Sequence, residues 1–372
     1  MASVAFFVLM ALQVWFSVGP CSAQFKDCNF EAIYSFGDSI ADTGNLVHEG
    51  LLGSFSAIAN LPYGETYFNK STGRCSDGQL IVDFLARSLD LPLLNPYLQK
   101  DAEFSHGVNF AVAGATALKA SFFQEKNIQM MYTTSSLNVQ LNWFKTHLSS
   151  ICSSRAECAK KLEKALFLAG EIGGNDYNYA FFQGRSIEEV KSYVPNVVQA
   201  VKDAARELID TGANQLIVPG NFPVGCMPSY LTLFRSNNPA AYDENKCLKD
   251  FNNFSKHHNE HLQGAIEELR QEFPHARILY ADYYNMLMEI IVNSTSLGFE
   301  GGSSMKACCG TGGDYNFDMT KMCGGPGVPA CPRPELYIHW DGIHLTQQAY
   351  RKIADAIIAY GHREWICKSK SI

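Results

Sequence analysis

Residues able to form a catalytic relay occur near the two ends of the chain. Ser39 follows Gly37 and Asp38 near the start, and Asp341 precedes His344 by three residues near the end. This spacing lets the carboxylate of Asp341 turn back onto one imidazole nitrogen while the other nitrogen faces outward. The residues therefore predict a nucleophile, a base and an acid that orients the base. The alternative is that the two aspartates only cap turns and that His344 is an ordinary surface histidine.

Two glycine-containing segments in the middle of the chain carry candidate donors to a developing oxyanion. Asn175 lies in GEIGGND, residues 170–176, and an Asn side chain donates well to an oxyanion. Gly114 lies in NFAVAGAT, residues 109–116, and can expose its backbone N–H. Both segments follow predicted strands, so we expect them at the sheet edge where Ser39 lies.

The elements that must position these residues are short strands separated by helices. Runs rich in β-branched or aromatic residues occur at residues 32–36, 108–112, 165–169, 215–218 and 277–281. Their alternation with helical stretches predicts a parallel sheet covered by helices. One long amphipathic helix is predicted over residues 241–273. Because no internal repeat or low-complexity linker interrupts the chain, we expect a single doubly wound α/β domain.

The charge balance restricts the partners of the chain. Its 372 residues include 30 Lys and Arg against 37 Asp and Glu, which gives a formal net charge of -7. No dense basic block is present, and both nucleic acid and an anionic membrane require a positive surface. A small neutral or cationic ligand is therefore the expected partner. Nothing in the sequence indicates an oligomeric state.

Residues 1–23 have the form of a secretory signal peptide. No charged side chain occurs between residues 2 and 25, and the apolar run of residues 4–18 is shorter than the about 20 residues of a membrane-spanning helix. Cys-Ser-Ala before residue 24 fits a cleavage site and leaves residues 24–372 as the mature domain. An uncleaved anchor is the alternative, but no stable membrane insertion is expected.

Three N-x-S/T triplets agree with a secretory route to the extracellular space, the cell wall or the vacuole. They place candidate N-glycosylation sites at Asn69, Asn253 and Asn293. Such triplets also arise by chance, so each alone indicates little. Together with the signal peptide they support secretion.

The cysteines indicate an oxidising compartment. Cleavage after residue 23 would leave eleven of the 12 cysteines, so disulfides are expected and at least one thiol stays free or pairs between chains. Four cysteines crowd into the Gly- and Pro-rich residues 301–335, namely Cys308, Cys309, Cys323 and Cys331. We expect a long loop whose crosslinks hold Asp341 and His344 in register with Ser39. A zinc site is the alternative.

Four ordered blocks resemble the plant GDSL esterase/lipase family within the SGNH hydrolases. They are FGDSIADTGN around Ser39, NFAVAGAT around Gly114, GGND around Asn175, and DGIHLT around Asp341 and His344. The resemblance extends to LPYGETYF, GRCSDGQLIVDFLA, IVPGNFPVGCMP and the CCGTG loop, and so covers nearly the whole chain after residue 23. One departure is Ala-Gly at residues 113–114, where many members have two glycines.

The resemblance implies a flavodoxin-like α/β/α sandwich and hydrolysis of carboxylic esters of small molecules. It implies that Ser39 attacks the carbonyl, that His344 is the base and that Asp341 orients His344. The backbone N–H groups of Ser39 and Gly114 and the Asn175 amide would form the oxyanion hole. No metal or organic cofactor is required. Within the family, the similarity favours members that act on short acyl esters, such as acetyl esters, of plant alkaloids.

A zinc peptidase is the alternative from another class. His257, Glu260 and His261 match the inverted motif H-x-x-E-H, whose two histidines could ligate zinc beside the glutamate. The same residues also fit the exposed face of the long predicted helix, which needs no metal.

Two other enzyme activities on esters would use the same catalytic residues. A lipase would accept longer acyl chains, and an acyltransferase would pass the acyl group to another alcohol rather than to water. Aromatic residues after GGND could line an apolar groove or pack a helix against the sheet. They are Tyr177, Tyr179, Phe181 and Phe182.

Overall fold

One five-stranded parallel sheet organises the computed structural model, which describes residues 28–50, 53–130 and 132–364. The strands are β1 (Ala32–Gly37), β2 (Gly107–Asn109), β3 (Ala165–Glu171), β4 (Gln215–Pro219) and β5 (Arg277–Ala281). Their order is β2-β1-β3-β4-β5, so the direction of winding reverses between β1 and β3. Ligand crevices of open parallel sheets lie at such a reversal, outside the carboxyl ends of the strands. The predicted signal peptide lies outside the described residues.

The five predicted strand positions are confirmed. The second strand is shorter than predicted, because residues 110–112 lie outside the regular strand pairing. Some of their backbone N–H groups nevertheless form hydrogen bonds with β1. The N–H of Phe110 bonds the carbonyl of Ser35 at 2.7 Å, and that of Val112 bonds the carbonyl of Gly37 at 3.1 Å. This extended stretch carries the chain from β2 to Gly114 along the side of β1.

Twelve α-helices connect and cover the strands in the described part of the chain. They are α1 (Asn45–Glu49), α2 (Ile81–Ser88), α3 (Ala120–Glu125), α4 (Leu137–Ile151), α5 (Arg155–Leu162), α6 (Gly174–Phe181), α7 (Ile187–Lys191), α8 (Val194–Thr211), α9 (Pro228–Leu233), α10 (Lys249–Glu272), α11 (Tyr283–Val292) and α12 (Gln347–Glu364). Helix α8 packs against α4 and α10, whereas α12 packs against α2 and α11. With the sheet they form the single α/β/α domain expected from the sequence.

Helices α8 and α10 show why the spacing of apolar residues in the sequence predicted helices. Val197, Val201 and Leu208 lie on one face of α8 and are buried, and Leu262 and Ile266 are buried on α10. Apolar residues at helical spacing bury one stripe against the sheet and leave the opposite face polar.

Helix α10 begins eight residues later than the predicted start at residue 241. The preceding chain instead forms a hairpin-like turn in which Tyr242 bridges Leu248. The Asp243 side chain accepts the N–H of Cys247 at 2.9 Å, and Lys246 has a left-handed φ of 64°. A disulfide between Cys226 and Cys247 closes this turn, so the helix cannot extend backwards.

The described cysteines are nearly all paired. Disulfides join Cys152 to Cys158, Cys226 to Cys247, Cys308 to Cys331 and Cys309 to Cys323. Cys28 is also disulfide-bonded. Among the described cysteines, Cys75 is a buried free thiol, which agrees with the expectation that at least one thiol stays free. The disulfides predicted for the loop at residues 301–335 are therefore present.

In the described ranges, no helix has both the length and the apolar composition needed to cross a membrane.

Candidate active site

The turn after β1 places Ser39 at the crevice between β1 and β3. Gly37 has a φ of 141°, and a side chain there would lie 2.8 Å from the carbonyl of Glu171, so the close approach of β3 requires glycine. The N–H of Asp38 donates to that same carbonyl at 3.0 Å. The Asp38 carboxylate and carbonyl then accept the N–H groups of Ile40 and Ala41. These bonds fix a tight turn with Ser39 at its outer corner.

A short loop before α12 folds Asp341 back onto His344, as its spacing predicts. Asp341 Oδ1 accepts the N–H of Ile343 at 2.9 Å and that of His344 at 2.8 Å. Asp341 Oδ2 lies 2.7 Å from His344 Nδ1, and His344 Nε2 lies 2.8 Å from Ser39 Oγ. Gly342 has a φ of 94°, and a Cβ there would meet the Phe317 ring at 2.3 Å. The structure thus brings together three residues from opposite ends of the chain.

Asp341 is ionised although it is buried. Burial raises the pKa of Asp341, but the charge of His344 and the hydrogen bonds from His344 and Ile343 outweigh it and lower the pKa to about 2. A carboxylate in this position favours the tautomer of His344 with Nδ1 protonated, which leaves Nε2 as a hydrogen-bond acceptor facing Ser39 Oγ.

Tyr63 is a site residue that the sequence did not identify. Its hydroxyl donates to Asp341 Oδ2 at 2.8 Å, and its ring packs edge-on against Trp340. Tyr63 lies in the LPYGETYF segment, which carries part of the family resemblance. In the sequence, Tyr63 cannot be distinguished from a tyrosine that only packs in the core. Its contact with Asp341 is therefore visible only in the structure.

The disulfide-bonded loop is tied directly to the segment that carries Asp341. The N–H of Cys308 donates to the carbonyl of His339 at 2.9 Å, and that of Cys309 donates to the carbonyl of Trp340 at 2.7 Å. The N–H of Trp340 in turn bonds the carbonyl of His344 at 2.7 Å. Two disulfides therefore brace the backbone immediately before Asp341.

The predicted oxyanion donors lie around the same serine. Gly114 has a φ of 84°, and its carbonyl accepts the Tyr179 hydroxyl at 2.7 Å. The N–H groups of Ser39 and Gly114 have no acceptor among the described residues. Asn175 Nδ2 donates to the Ala115 carbonyl at 3.0 Å and to Asp38 at 3.2 Å. Ser39, Gly114 and Asn175 all line one cleft.

Two buried aspartates hold these segments in place. Asp42 accepts the N–H of Gly44 at 2.7 Å and that of Ala113 at 2.8 Å, which ties the Ser39 turn to the Gly114 segment. Asp176 accepts the N–H of Ala117 at 2.8 Å, which ties that segment to α6. Both aspartates occur in family-like blocks, but the sequence alone did not indicate which backbone groups they bind.

The cleft has two lobes that meet at Ser39, each of about 520 Å³ including space open to solvent. The apolar lobe contains Gly114 and His344 and is lined further by Tyr132, Tyr179, Met319 and Met322. The polar lobe, named for the carboxyl and amide groups of Asp38, Glu171 and Asn221, is also lined by apolar and aromatic side chains, among them Phe222 and Tyr230. Met319 and Met322 come from the disulfide-bonded loop, so this loop also forms a wall of the site.

The aromatic cluster after GGND divides between the two predicted roles. Tyr177 and Phe181 are buried against α10, where the Tyr177 hydroxyl lies 2.7 Å from His258 Nδ1. Tyr179 and Phe182 line the cleft. The cluster therefore both packs α6 and forms part of the groove.

The residues of the H-x-x-E-H segment lie on α10. The rings of His257 and His261 are 4.4 Å apart, and Glu260 is exposed. Across the described ranges, no three His, Cys, Asp or Glu side chains are grouped so that they could hold a metal ion. Within those ranges, no third ligand of the kind that a zinc peptidase requires accompanies His257 and His261.

Comparison with known proteins identifies the family. The model of the GDSL-like Lipase/Acylhydrolase family matches residues 33–357. The chain is 50% identical over 331 residues to acetylajmalan esterase of Rauvolfia serpentina, covering 89% of this chain and 85% of the relative. It is 48% identical over 332 residues to sinapine esterase of Brassica napus, covering 88% and 85%. A GDSL esterase/lipase of Arabidopsis thaliana is 43% identical over 378 residues, covering 100% and 96%. The chain therefore belongs to the GDSL-like lipase/acylhydrolase family and is a carboxylic ester hydrolase.

Proposed function

We propose that the protein is a secreted serine esterase that forms an acyl-enzyme on Ser39. The observation that carries the proposal is the continuous chain of short contacts from Asp341 through His344 to Ser39, at 2.7 Å and 2.8 Å. A buried carboxylate, an imidazole and a hydroxyl in this order activate the hydroxyl for attack on a carbonyl carbon.

In the proposed reaction, Ser39 Oγ attacks the ester carbonyl while His344 Nε2 takes its proton. The oxyanion receives the backbone N–H groups of Ser39 and Gly114 and the amide of Asn175. The 3.2 Å bond from Asn175 to Asp38 is the weaker of its two contacts and is the one exchanged for the oxyanion. His344 then protonates the leaving alcohol and activates the water that releases the acid.

The proposed substrate is a short acyl ester of a plant specialised metabolite, such as an alkaloid. The names of the relatives acetylajmalan esterase and sinapine esterase support this class. A planar amphiphilic alcohol suits a cleft with one apolar lobe and one polar lobe. Turnover of long-chain esters would instead indicate a lipase, and product formation from an added acceptor alcohol would indicate acyl transfer.

The proposed route is the secretory pathway, with residues 1–23 removed as a signal peptide and residues 24–372 forming the hydrolase domain. Disulfides support an oxidising compartment. The candidate glycosylation residues Asn69, Asn253 and Asn293 are all exposed. N-terminal sequencing of the exported protein, with its mass before and after removal of N-glycans, tests both assignments.

The catalytic assignment is tested with Ser39→Ala and with a serine-directed phosphonate. Ser39→Ala is expected to abolish hydrolysis of p-nitrophenyl acetate, while Ser149→Ala, at an exposed position on α4, keeps it. Mass spectrometry of the phosphonate-treated protein should find the adduct on the peptide with Ser39. Turnover retained by folded Ser39→Ala would overturn the assignment. A panel of short-chain, long-chain and alkaloid esters then identifies the substrate class.

A further inference from the structure

Two buried carboxyl groups in the polar lobe neither attack the ester nor transfer a proton in the proposed hydrolysis. Asp38 and Glu171 stand at the ends of the adjacent strands β1 and β3, joined by the bond from the Asp38 N–H to the Glu171 carbonyl. Their residues are only 3% and 7% exposed, and both line the lobe beside Ser39. A negative charge buried at the wall of a cleft is costly unless a positive charge or hydrogen bonds compensate for it.

Burial disfavours ionisation of both carboxyl groups of the pair. Burial raises the pKa of Asp38 to about 6. Burial, together with the charge of Asp38 and a hydrogen bond between the two side chains, holds the pKa of Glu171 well above its usual value. Two adjacent carboxyls cannot both ionise easily, so one of them keeps the proton.

In the described part of the chain no lysine or arginine offsets the charge of this pair, although a charged His344 imidazole favours the ionised form of Asp38. No Lys or Arg in the described ranges forms an ion pair with either carboxyl group. One carboxyl oxygen, Glu171 Oε2, is buried and lacks any hydrogen-bond partner among the described residues, whereas Asp38 accepts the N–H of Ile40 and the amide of Asn175. Burying a charge or a polar atom without a partner costs free energy, and a bound cation would remove that cost.

Aromatic rings complete the lining of the same lobe. Phe222 is held by stacking on Tyr283, with ring centroids 4.9 Å apart. Tyr230 is fixed by a 2.6 Å bond from its hydroxyl to Asn178, and Phe182 packs against it. The faces of aromatic rings attract alkylated ammonium groups, which are large, weakly hydrated cations.

We propose that the polar lobe is a binding subsite for the ammonium group of a cationic ester, held by the Asp38–Glu171 pair and the rings of Phe222 and Tyr230. This inference rests on the proposed function and narrows its substrate class to esters that carry a tertiary or quaternary ammonium group. The subsite would hold the cation while the ester carbonyl reaches Ser39 at the junction of the two lobes.

The test compares choline with 3,3-dimethylbutan-1-ol, which has a carbon in place of the charged nitrogen. Both compounds compete with p-nitrophenyl acetate, and their Kd values are also measured by calorimetric titration at pH 7.5. Choline is expected to bind at least about tenfold more tightly than the uncharged alcohol, a typical advantage for a desolvated cation beside a carboxylate and aromatic rings. Equal affinities would overturn the proposal.

Two variants separate the charge of the pair from its shape. Glu171→Gln leaves one carboxylate on Asp38 and should keep the preference for choline. The double variant Asp38→Asn/Glu171→Gln removes the charge and should bind choline and the alcohol within about twofold of each other, while its affinity for the alcohol stays unchanged. A preference for choline retained in the folded double variant would refute the subsite. Calorimetry reports binding even if turnover is lost.

A third variant decides the question if the double variant does not fold. Phe222→Leu keeps an apolar side chain but removes the ring, so it should weaken choline about threefold or more and leave the alcohol unaffected. Equal weakening of both compounds would contradict the proposal. Failure of the wild-type protein to hydrolyse p-nitrophenyl acetate would instead count against the proposed function, and the two failures are therefore distinguishable.

Discussion

Tyr63→Phe tests how far the positioning of Asp341 contributes to turnover. The substitution removes one hydroxyl, which donates to Asp341 Oδ2 at 2.8 Å, the same oxygen that lies 2.7 Å from His344 Nδ1. The ring remains against Trp340, so packing is nearly unchanged. Tyr63 does not line either lobe of the cleft. The change therefore acts on the orientation of the acid and base and not on substrate contacts.

The size of the effect follows from the kind of bond that is lost. A hydrogen bond to a charged group contributes about 1.5–3 kcal/mol, and Asp341 keeps its bonds from the N–H groups of Ile343 and His344. If about half of the lost free energy is expressed when His344 becomes charged, the barrier rises by about 0.75–1.5 kcal/mol. We therefore expect kcat to fall about four- to twelvefold with KM within about twofold of wild type.

The assay is steady-state hydrolysis of p-nitrophenyl acetate, with Tyr193→Phe as the matched control. Tyr193 is also buried and donates to a carboxylate, at 2.6 Å from Glu189, but it does not line the cleft. Tyr193→Phe should leave kcat unchanged. A Tyr63→Phe kcat within twofold of wild type, or an equal loss in both variants, would refute the reasoning.

Three further predictions follow from the site. Asn175→Ala should lower kcat about 10²–10³-fold with little change in KM, and a change confined to KM would exclude Asn175 from the oxyanion hole. Cys309→Ser/Cys323→Ser should reduce stability by about 2–4 kcal/mol in denaturant titrations and should lower kcat; an unchanged midpoint would show that the loop needs no crosslink. Because the pKa of Asp341 is lowered from 3.8 to about 2, its ionised form stabilises the fold above pH 4, and this contribution of about 2 kcal/mol is lost as pH falls from 4 to 2. The unfolding free energy of wild type relative to Asp341→Asn should shrink over that range, and a constant difference would contradict the assignment.

The parts of the fold that the sequence predicted are those with a strong local pattern. The strands were recognisable because short β-branched or aromatic runs alternate with helices, and the chemical residues follow the strands. Asp341 and His344 could be paired because they lie three positions apart on a short loop. Tyr63 could not be assigned, because 278 residues separate it from Asp341 and its burial is that of any core tyrosine.

The features that the sequence did not predict occur where contacts between distant parts of the chain determine the local structure. The helical pattern of α10 continues back towards residue 241, but the Cys226–Cys247 disulfide holds that stretch in a turn. Glu171 sits in a strand that is buried along its whole length, and the sequence does not show that its carboxyl meets Asp38 across the crevice. The free thiol at Cys75 could be recognised only when the other pairings were known.

The distance along the chain between Ser39 and His344 has a consequence for biosynthesis. The two residues are 305 positions apart and meet only when the last loop has joined the first strand. At about 5–20 residues per second, a ribosome needs about 15–60 s to make the intervening chain. Throughout that interval the nascent polypeptide contains Ser39 but lacks His344, the base of the proposed reaction, so the proposed relay cannot form. The proposed mechanism therefore implies that hydrolytic activity begins only when synthesis is nearly complete.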